Sequence, residues 1–122
     1  MLLHCFLVGV GGFIGALCRY IILLLPLGSQ GTFPVKILCI NVLGCFVLSI
    51  IAGAAIKYRF LPSELVIMLQ IGVCGGFTAF SAMVFETVTL AKDGQMAVAI
   101  TYIFASVILS LAAFLAGQAL MK

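Results

Sequence analysis

The sequence predicts an all-α integral membrane protein of four transmembrane helices, with almost nothing outside the bilayer. Two observations predict it. Residues of the set AVILMFWYC make up 66% of the chain and DEKR only 7%, whereas a soluble domain is roughly half apolar and a quarter charged. So few charges cannot clothe a soluble domain of 122 residues. The apolar residues also fall in continuous runs near or above the roughly 20 residues needed to cross a bilayer, without the alternation of a β-barrel strand.

The four runs are about Leu3 to Leu25, Lys36 to Ile56, Ser63 to Ala91 and Met96 to Met121. Between them lie polar or Pro/Gly-bearing connections at Pro26 to Pro34, Lys57 to Pro62 and Lys92 to Gln95. Pro34 and Pro62 each precede a run, where a missing backbone N–H costs little. No residues are left over for a soluble domain, so the prediction is a single four-helix membrane domain. The first run lacks the basic leader and small-x-small cleavage site of a signal peptide. Its Gly15-Ala16-Leu17-Cys18 is a poor lipoprotein box, because Leu17 occupies a position where a small residue is expected. The five cysteines (Cys5, Cys18, Cys39, Cys45 and Cys74) lie inside runs without C-x-x-C spacing. They read as small apolar packing residues and not as a disulfide or metal framework.

Cations near span ends usually fix orientation, because cytoplasmic loops are enriched in Lys and Arg. With the N-terminus inside, Lys57, Arg59 and Lys122 lie inside and Arg19, Lys36 and Lys92 outside, three against three. Either partner contacts set the orientation, or the chain inserts both ways and pairs as an antiparallel dimer.

Polar groups in hydrocarbon are costly unless satisfied or facing a cavity, so the few present are informative. Gly11-x-x-x-Gly15 and Gly12-x-x-x-Ala16 in the first run are small-x-x-x-small pairs that let helices approach closely. Arg19 ends this face; its guanidinium either snorkels to the interface or supplies positive potential to an anion pathway. Asn41, about one and a half turns into the second run, is either interhelical glue or a donor to a passing anion. The third run holds Gly72-Val73-Cys74-Gly75-Gly76-Phe77-Thr78-Ala79-Phe80-Ser81. A mid-span Gly-Gly pair invites a break in the helix. Carbonyls freed there must bond something, a small cation being one solution. Beyond it, the ring edge of Phe80 can attract an anion without formal charge. Glu64 stands at the very start of the third run, so Glu86 is the one acid buried within a run by these bounds; it sits near a vestibule or carries a proton. Tyr102, Ser106 and Ser110 recur at i, i+4 and i+8, a polar stripe about 12 Å long on one helix face. The two serines could instead bond back to helix carbonyls.

Three blocks taken together, Gly11-Gly12-x-x-Gly15-Ala16-x-x-Arg19-Tyr20, Asn41-x-x-Gly44 and Gly72-x-Cys74-Gly75-Gly76-Phe77-Thr78-x-Phe80-Ser81, resemble the Fluc (CrcB) family of fluoride channels. The resemblance runs in order over nearly the whole chain, and its third block is the specific one. It implies four-helix chains paired as antiparallel dual-topology dimers, with two pores that export fluoride passively across the inner membrane. It also implies a structural sodium ion (Na+) at the dimer interface, held by the backbone carbonyls of Gly75 and Thr78. Along the fluoride pathway it places Asn41, Phe80 and Ser81, with Tyr102, Ser106 and Ser110 continuing the track and Arg19 matching the arginine of the first span. This chain departs from the family pattern. Met83 replaces the second pore phenylalanine, Ala79 and Ala82 stand where threonines are usual, and Lys36-Ile37 replaces a Gly-Thr pair. Some members work as pairs of unlike subunits, so a heterodimer with a paralogue is an alternative to the homodimer that the even charge count favours. The partners expected are fluoride, membrane lipid and a second subunit, and not nucleic acid.

A small multidrug transporter would also have four helices, but it needs an acid in its first span, and no Asp or Glu occurs before Glu64. A non-transporting scaffold would leave the stripe at Tyr102, Ser106 and Ser110 without a purpose. An enzyme is least expected. The one histidine, His4, lies at the chain's start, and no buried nucleophile has a base beside it.

Overall fold

The computed structural model describes residues 1–25, 34–78 and 80–121. The first connection up to Phe33, with Ala79 and Lys122, lies outside the described residues. Helix α1 is Leu2–Leu24 and α2 is Val35–Lys57. The third run comprises α3 (Ser63–Ile67), a π-helical segment (Met68–Cys74), α4 (Gly75–Phe77) and α5 (Phe80–Lys92). Helix α6 is Met96–Leu120. Among the described residues, α1, α2, the run Ser63–Lys92 and α6 are long and apolar enough to cross a membrane.

The connections follow from local chemistry. Pro34 and Pro62 are the N-caps of α2 and α3, where no helical bond needs a proline N–H. The turn after α5 is a Schellman motif: Gln95 N–H bonds Leu90 O at 2.8 Å and Gly94 N–H bonds Ala91 O at 3.2 Å. Gly94 takes φ +79°, a left-handed conformation that a Cβ would disfavour. At the opposite end, the Tyr58 and Phe60 rings meet at a 55° tilt with centroids 5.8 Å apart, and the Lys57 ammonium lies 5.7 Å from the Tyr58 ring. The amphipathic Tyr58 suits the headgroup region. Lys36 Nζ donates to Leu23 O at 2.7 Å, so the cation that replaces a small residue of the family pattern caps the negative end of α1.

Two close pairings organise the bundle. α1 lies backbone to backbone on the π segment and α4: a Cβ added at Gly11 would come within 2.6 Å of Met68 O, and one at Gly72 within 2.9 Å of Gly11 Cα. α2 packs along α6 with glycine backbone against side chains, Gly117 against Ser49 and Gly53 against Met121. The buried cluster joining the pairs is Ile37 and Ile40 of α2, Met83 and Leu90 of α5, and Ala99 and Tyr102 of α6. Much of the remaining surface is large and apolar, including exposed Phe6, Phe13, Phe85, Phe104, Leu111 and Leu115. Patches of this extent face lipid or another protein chain.

The third run is locally irregular. Gly75 and Gly76, where the sequence places an interruption, are helical. Among the described residues, the one between α4 and α5 is Thr78, which is extended with φ −71° and ψ 154°. The π segment preceding it has no counterpart in the sequence expectations; such widened turns are rare and recur at functional sites.

Candidate functional site

Helices α2, α5 and α6 enclose a groove of about 430 Å³. From α2 come Asn41, Cys45 and Leu48, and from α6 come Ser106, Val107, Ser110, Leu111 and Phe114. Phe80 and Met83 of α5 and the extended residue Thr78 complete the wall. The helical period explains the membership. Asn41, Cys45 and Leu48 sit at i, i+4 and i+7, and Ser106, Ser110 and Phe114 at i, i+4 and i+8, each set forming one face. The wall is thus largely hydrocarbon with four polar side chains, those of Asn41, Thr78, Ser106 and Ser110. In such a low-dielectric setting each hydrogen-bond donor acts more strongly than in water.

Ser106 is the most informative of the four. It is 2% exposed, and among the described residues its Oγ has no hydrogen-bond partner. Other helical hydroxyls do bond back to carbonyls: Ser49 Oγ to Phe46 O at 2.7 Å and Thr87 Oγ1 to Met83 O at 2.8 Å. A buried hydroxyl without a partner costs about 1–3 kcal/mol. A ligand that accepts hydrogen bonds would recover it.

Phe80 and Met83 stand one turn apart but differ in setting. Phe80, the first residue of α5, is 72% exposed, while Met83 is 8% exposed and belongs to both the buried cluster and the groove wall. Ser81 faces the other way, about 100° around the helix from Phe80. It lines a second groove of about 460 Å³ with Arg19, Leu23, Ala82, Phe85 and Glu86. Helix α5 is therefore the partition between the two grooves. Arg19 bridges it, its Nη1 donating to the carbonyl of Thr78 at 3.3 Å.

The structure thus gathers Asn41, Phe80, Met83, Ser106 and Ser110 in one groove, with Thr78 beside them. It places Arg19 and Ser81 in the other. Tyr102, one turn before Ser106, is fully buried in the α2–α5–α6 cluster and outside both sets of wall residues. Gly75 is exposed, and its carbonyl accepts from Thr78 Oγ1 at 3.5 Å. Cys45 and Phe114 are groove residues that sequence reasoning missed. The available signal was their spacing from Asn41 and Ser110, four residues each. Among the described residues no group of three or more His, Cys, Asp or Glu could hold a metal ion.

Comparison with known proteins adds an independent line. A family model described as CrcB-like protein, Camphor Resistance (CrcB), matches residues 6–118. A relative named Fluoride-specific ion channel FluC from Prosthecochloris aestuarii (strain DSM 271 / SK 413) is 39% identical over 116 residues, covering 95% of this chain and 91% of that protein. Its namesake from Chlorobium phaeobacteroides (strain DSM 266 / SMG 266 / 2430) is 39% identical over 111 residues, 91% of this chain and 86% of the relative. Another, from Azobacteroides pseudotrichonymphae genomovar. CFP2, is 36% identical over 121 residues, 98% and 97% of the two chains.

Proposed function

The chain belongs to the CrcB family, and from that premise we propose that it is a fluoride channel whose pathway runs through the groove between α2, α5 and α6. It is a multi-pass membrane protein and not an enzyme. The observation that carries the pathway is one groove holding Asn41, Phe80, Met83, Ser106 and Ser110, with a buried Ser106 hydroxyl that has no partner among the described residues. Fluoride is a small, strong hydrogen-bond acceptor. The Asn41 amide offers two N–H donors, and the Ser106 and Ser110 hydroxyls one each. The edge of the Phe80 ring adds a weak positive potential. Apolar residues between these points exclude water, so that an ion passes only where donors replace its hydration. Ser81 lines the approach in the second groove, Arg19 standing beside it and reaching Thr78, and Tyr102 supports Ser106 from the buried side of the same stripe.

The assembly we propose is an antiparallel dual-topology homodimer in the inner membrane, passively exporting fluoride and so limiting its toxicity in the cytoplasm. The balanced cation count and the broad apolar exterior support it. Gly75 and Thr78 are proposed to hold a structural sodium ion (Na+) by their backbone carbonyls. The donor set fits. Thr78 is extended, each carbonyl accepts a long hydrogen bond, 3.5 Å at Gly75 and 3.3 Å at Thr78, and a carbonyl oxygen carries two lone pairs. Two oxygens are few for an alkali cation, and a second copy would double them. Held there, the ion would supply a fixed positive charge beside the groove wall formed by Thr78. The break in the third span that this arrangement needs is read from the extended Thr78.

Fluoride efflux from liposomes containing only this purified chain tests the function. Fast efflux is expected; its absence, restored by a paralogous subunit, would make the chain half of a heterodimer, for which Met83 in place of a pore phenylalanine is the motivating feature. A reporter fused at the C-terminus should reveal both orientations in one preparation, and a single orientation would end the antiparallel homodimer.

A further inference from the structure

The face of α1 formed by Gly11, Gly15 and Arg19, at i, i+4 and i+8, runs along the third span. Gly11 and Gly15 are buried and leave no room for a Cβ: one at Gly11 would meet backbone of the π segment, and one at Gly15 would meet Val73 O and lie 2.8 Å from Phe77 N. The contact is thus backbone against backbone and holds the α1 axis to the span without intervening side chains. Arg19, one turn further, extends the same face to the next residue along the span, its Nη1 reaching Thr78 O at 3.3 Å. Thr78 is the extended residue between α4 and α5, so its carbonyl is turned out of the helical ladder. At membrane depth such a carbonyl requires a donor. Its side chain meanwhile sits against Gly44 of α2 and forms part of the groove wall.

We propose that Arg19 is a positioning residue for the pathway: its guanidinium holds the Thr78 carbonyl and thereby fixes where α5 begins, rather than lending its charge to the anion at the mouth. This resolves a choice the sequence leaves open, between a snorkelling arginine and an electrostatic one, in favour of neither. It rests on the groove being the fluoride pathway and does not depend on the cation. A point ammonium one bond shorter replaces the planar fork only in part, so lysine should be a partial substitute.

The test compares wild type, Arg19→Met and Arg19→Lys as full-length purified protein. Fluoride efflux is measured at low and high ionic strength, and amide hydrogen exchange is followed at Val84 to Thr87, whose N–H groups bond carbonyls of the first turn of α5, with α6 as the internal control. Arg19→Met should lose at least about tenfold in flux at both salt concentrations, since a fixed contact is not screened as a surface potential is. Its α5 amides should exchange severalfold faster while α6 is unchanged, and Arg19→Lys should restore part of both. A flux loss that vanishes at high salt with exchange unchanged would overturn the proposal in favour of a potential at the mouth. Unchanged flux and exchange would overturn it in favour of snorkelling. Should Arg19→Met fail to fold, Arg19→Lys decides alone: intermediate flux and exchange support the proposal, and wild-type values in both overturn it. A wild type that carries no fluoride either alone or with a paralogous subunit would defeat the function above, while the exchange data would still report on Arg19.

Discussion

Alanine at Gly11 and alanine at Gly12 are adjacent, chemically identical perturbations with opposite expected outcomes. A Cβ at Gly11 would lie 2.6 Å from Met68 O and 2.9 Å from both Gly72 Cα and Val73 N. All three are backbone atoms, so no side chain can rotate away and the helices must separate. Overpacking of this kind costs about 1–3 kcal/mol, against a gain of about 1 kcal/mol from replacing a helical glycine by alanine. Because the obstacle is rigid, the cost belongs at the upper end, giving a net loss of about 2 kcal/mol, or about thirtyfold in the folding equilibrium. At Gly12, as at Gly9, an added Cβ meets nothing within 4 Å, so only the propensity gain remains, up to about 1 kcal/mol. Equilibrium unfolding of the purified variants in mixed detergent micelles reads the difference directly, with fluoride efflux as a check that Gly9→Ala and Gly12→Ala stay native. If Gly11→Ala proved as stable as Gly12→Ala, the backbone-to-backbone seating of α1 on the π segment would be wrong, and with it the geometry that carries Arg19 to Thr78.

Three further outcomes are expected. Asn41→Asp should slow fluoride efflux by at least about tenfold, because a carboxylate accepts where the amide donates; wild-type efflux would reduce Asn41 to structural glue. Ser106→Ala should lower flux while leaving stability equal or about 1 kcal/mol higher, since the hydroxyl it removes is buried with no partner among the described residues; a large loss of stability in the same unfolding assay would reveal a structural bond. Met83→Phe should raise flux by adding a second ring edge to the groove. Met83→Ala should instead destabilise by about 2–5 kcal/mol, because Met83 is 8% exposed within the core; Met83→Phe efflux at the wild-type rate would refute the ring-edge account of this position.

The sequence by itself determined that the chain crosses the membrane four times, because continuous apolar runs with so few charges have no other solvent. It also determined the stripe, since residues four apart on a helix share a face wherever that helix is placed, and Ser106 and Ser110 accordingly line one groove. The three sequence blocks carried the family as far as its local motifs reach. What periodicity could not supply was direction. Gly11-x-x-x-Gly15 and Gly12-x-x-x-Ala16 are equivalent as patterns, and only the rotation of α1 against the third span buries Gly11 and leaves Gly12 without a neighbour for a Cβ. Tyr102 continues the stripe in sequence but is fully buried in one cluster with residues of α2 and α5, because those helices close over that turn of α6. The glycine pair, a local signal for an interruption, is helical, with Gly76 seated against the α1 backbone at Gly12, and among the described residues it is Thr78 that is extended. The bond from Arg19 to Thr78 spans 59 residues. No local pattern encodes it; it exists because two helices with glycine faces bring distant backbone within reach of one side chain.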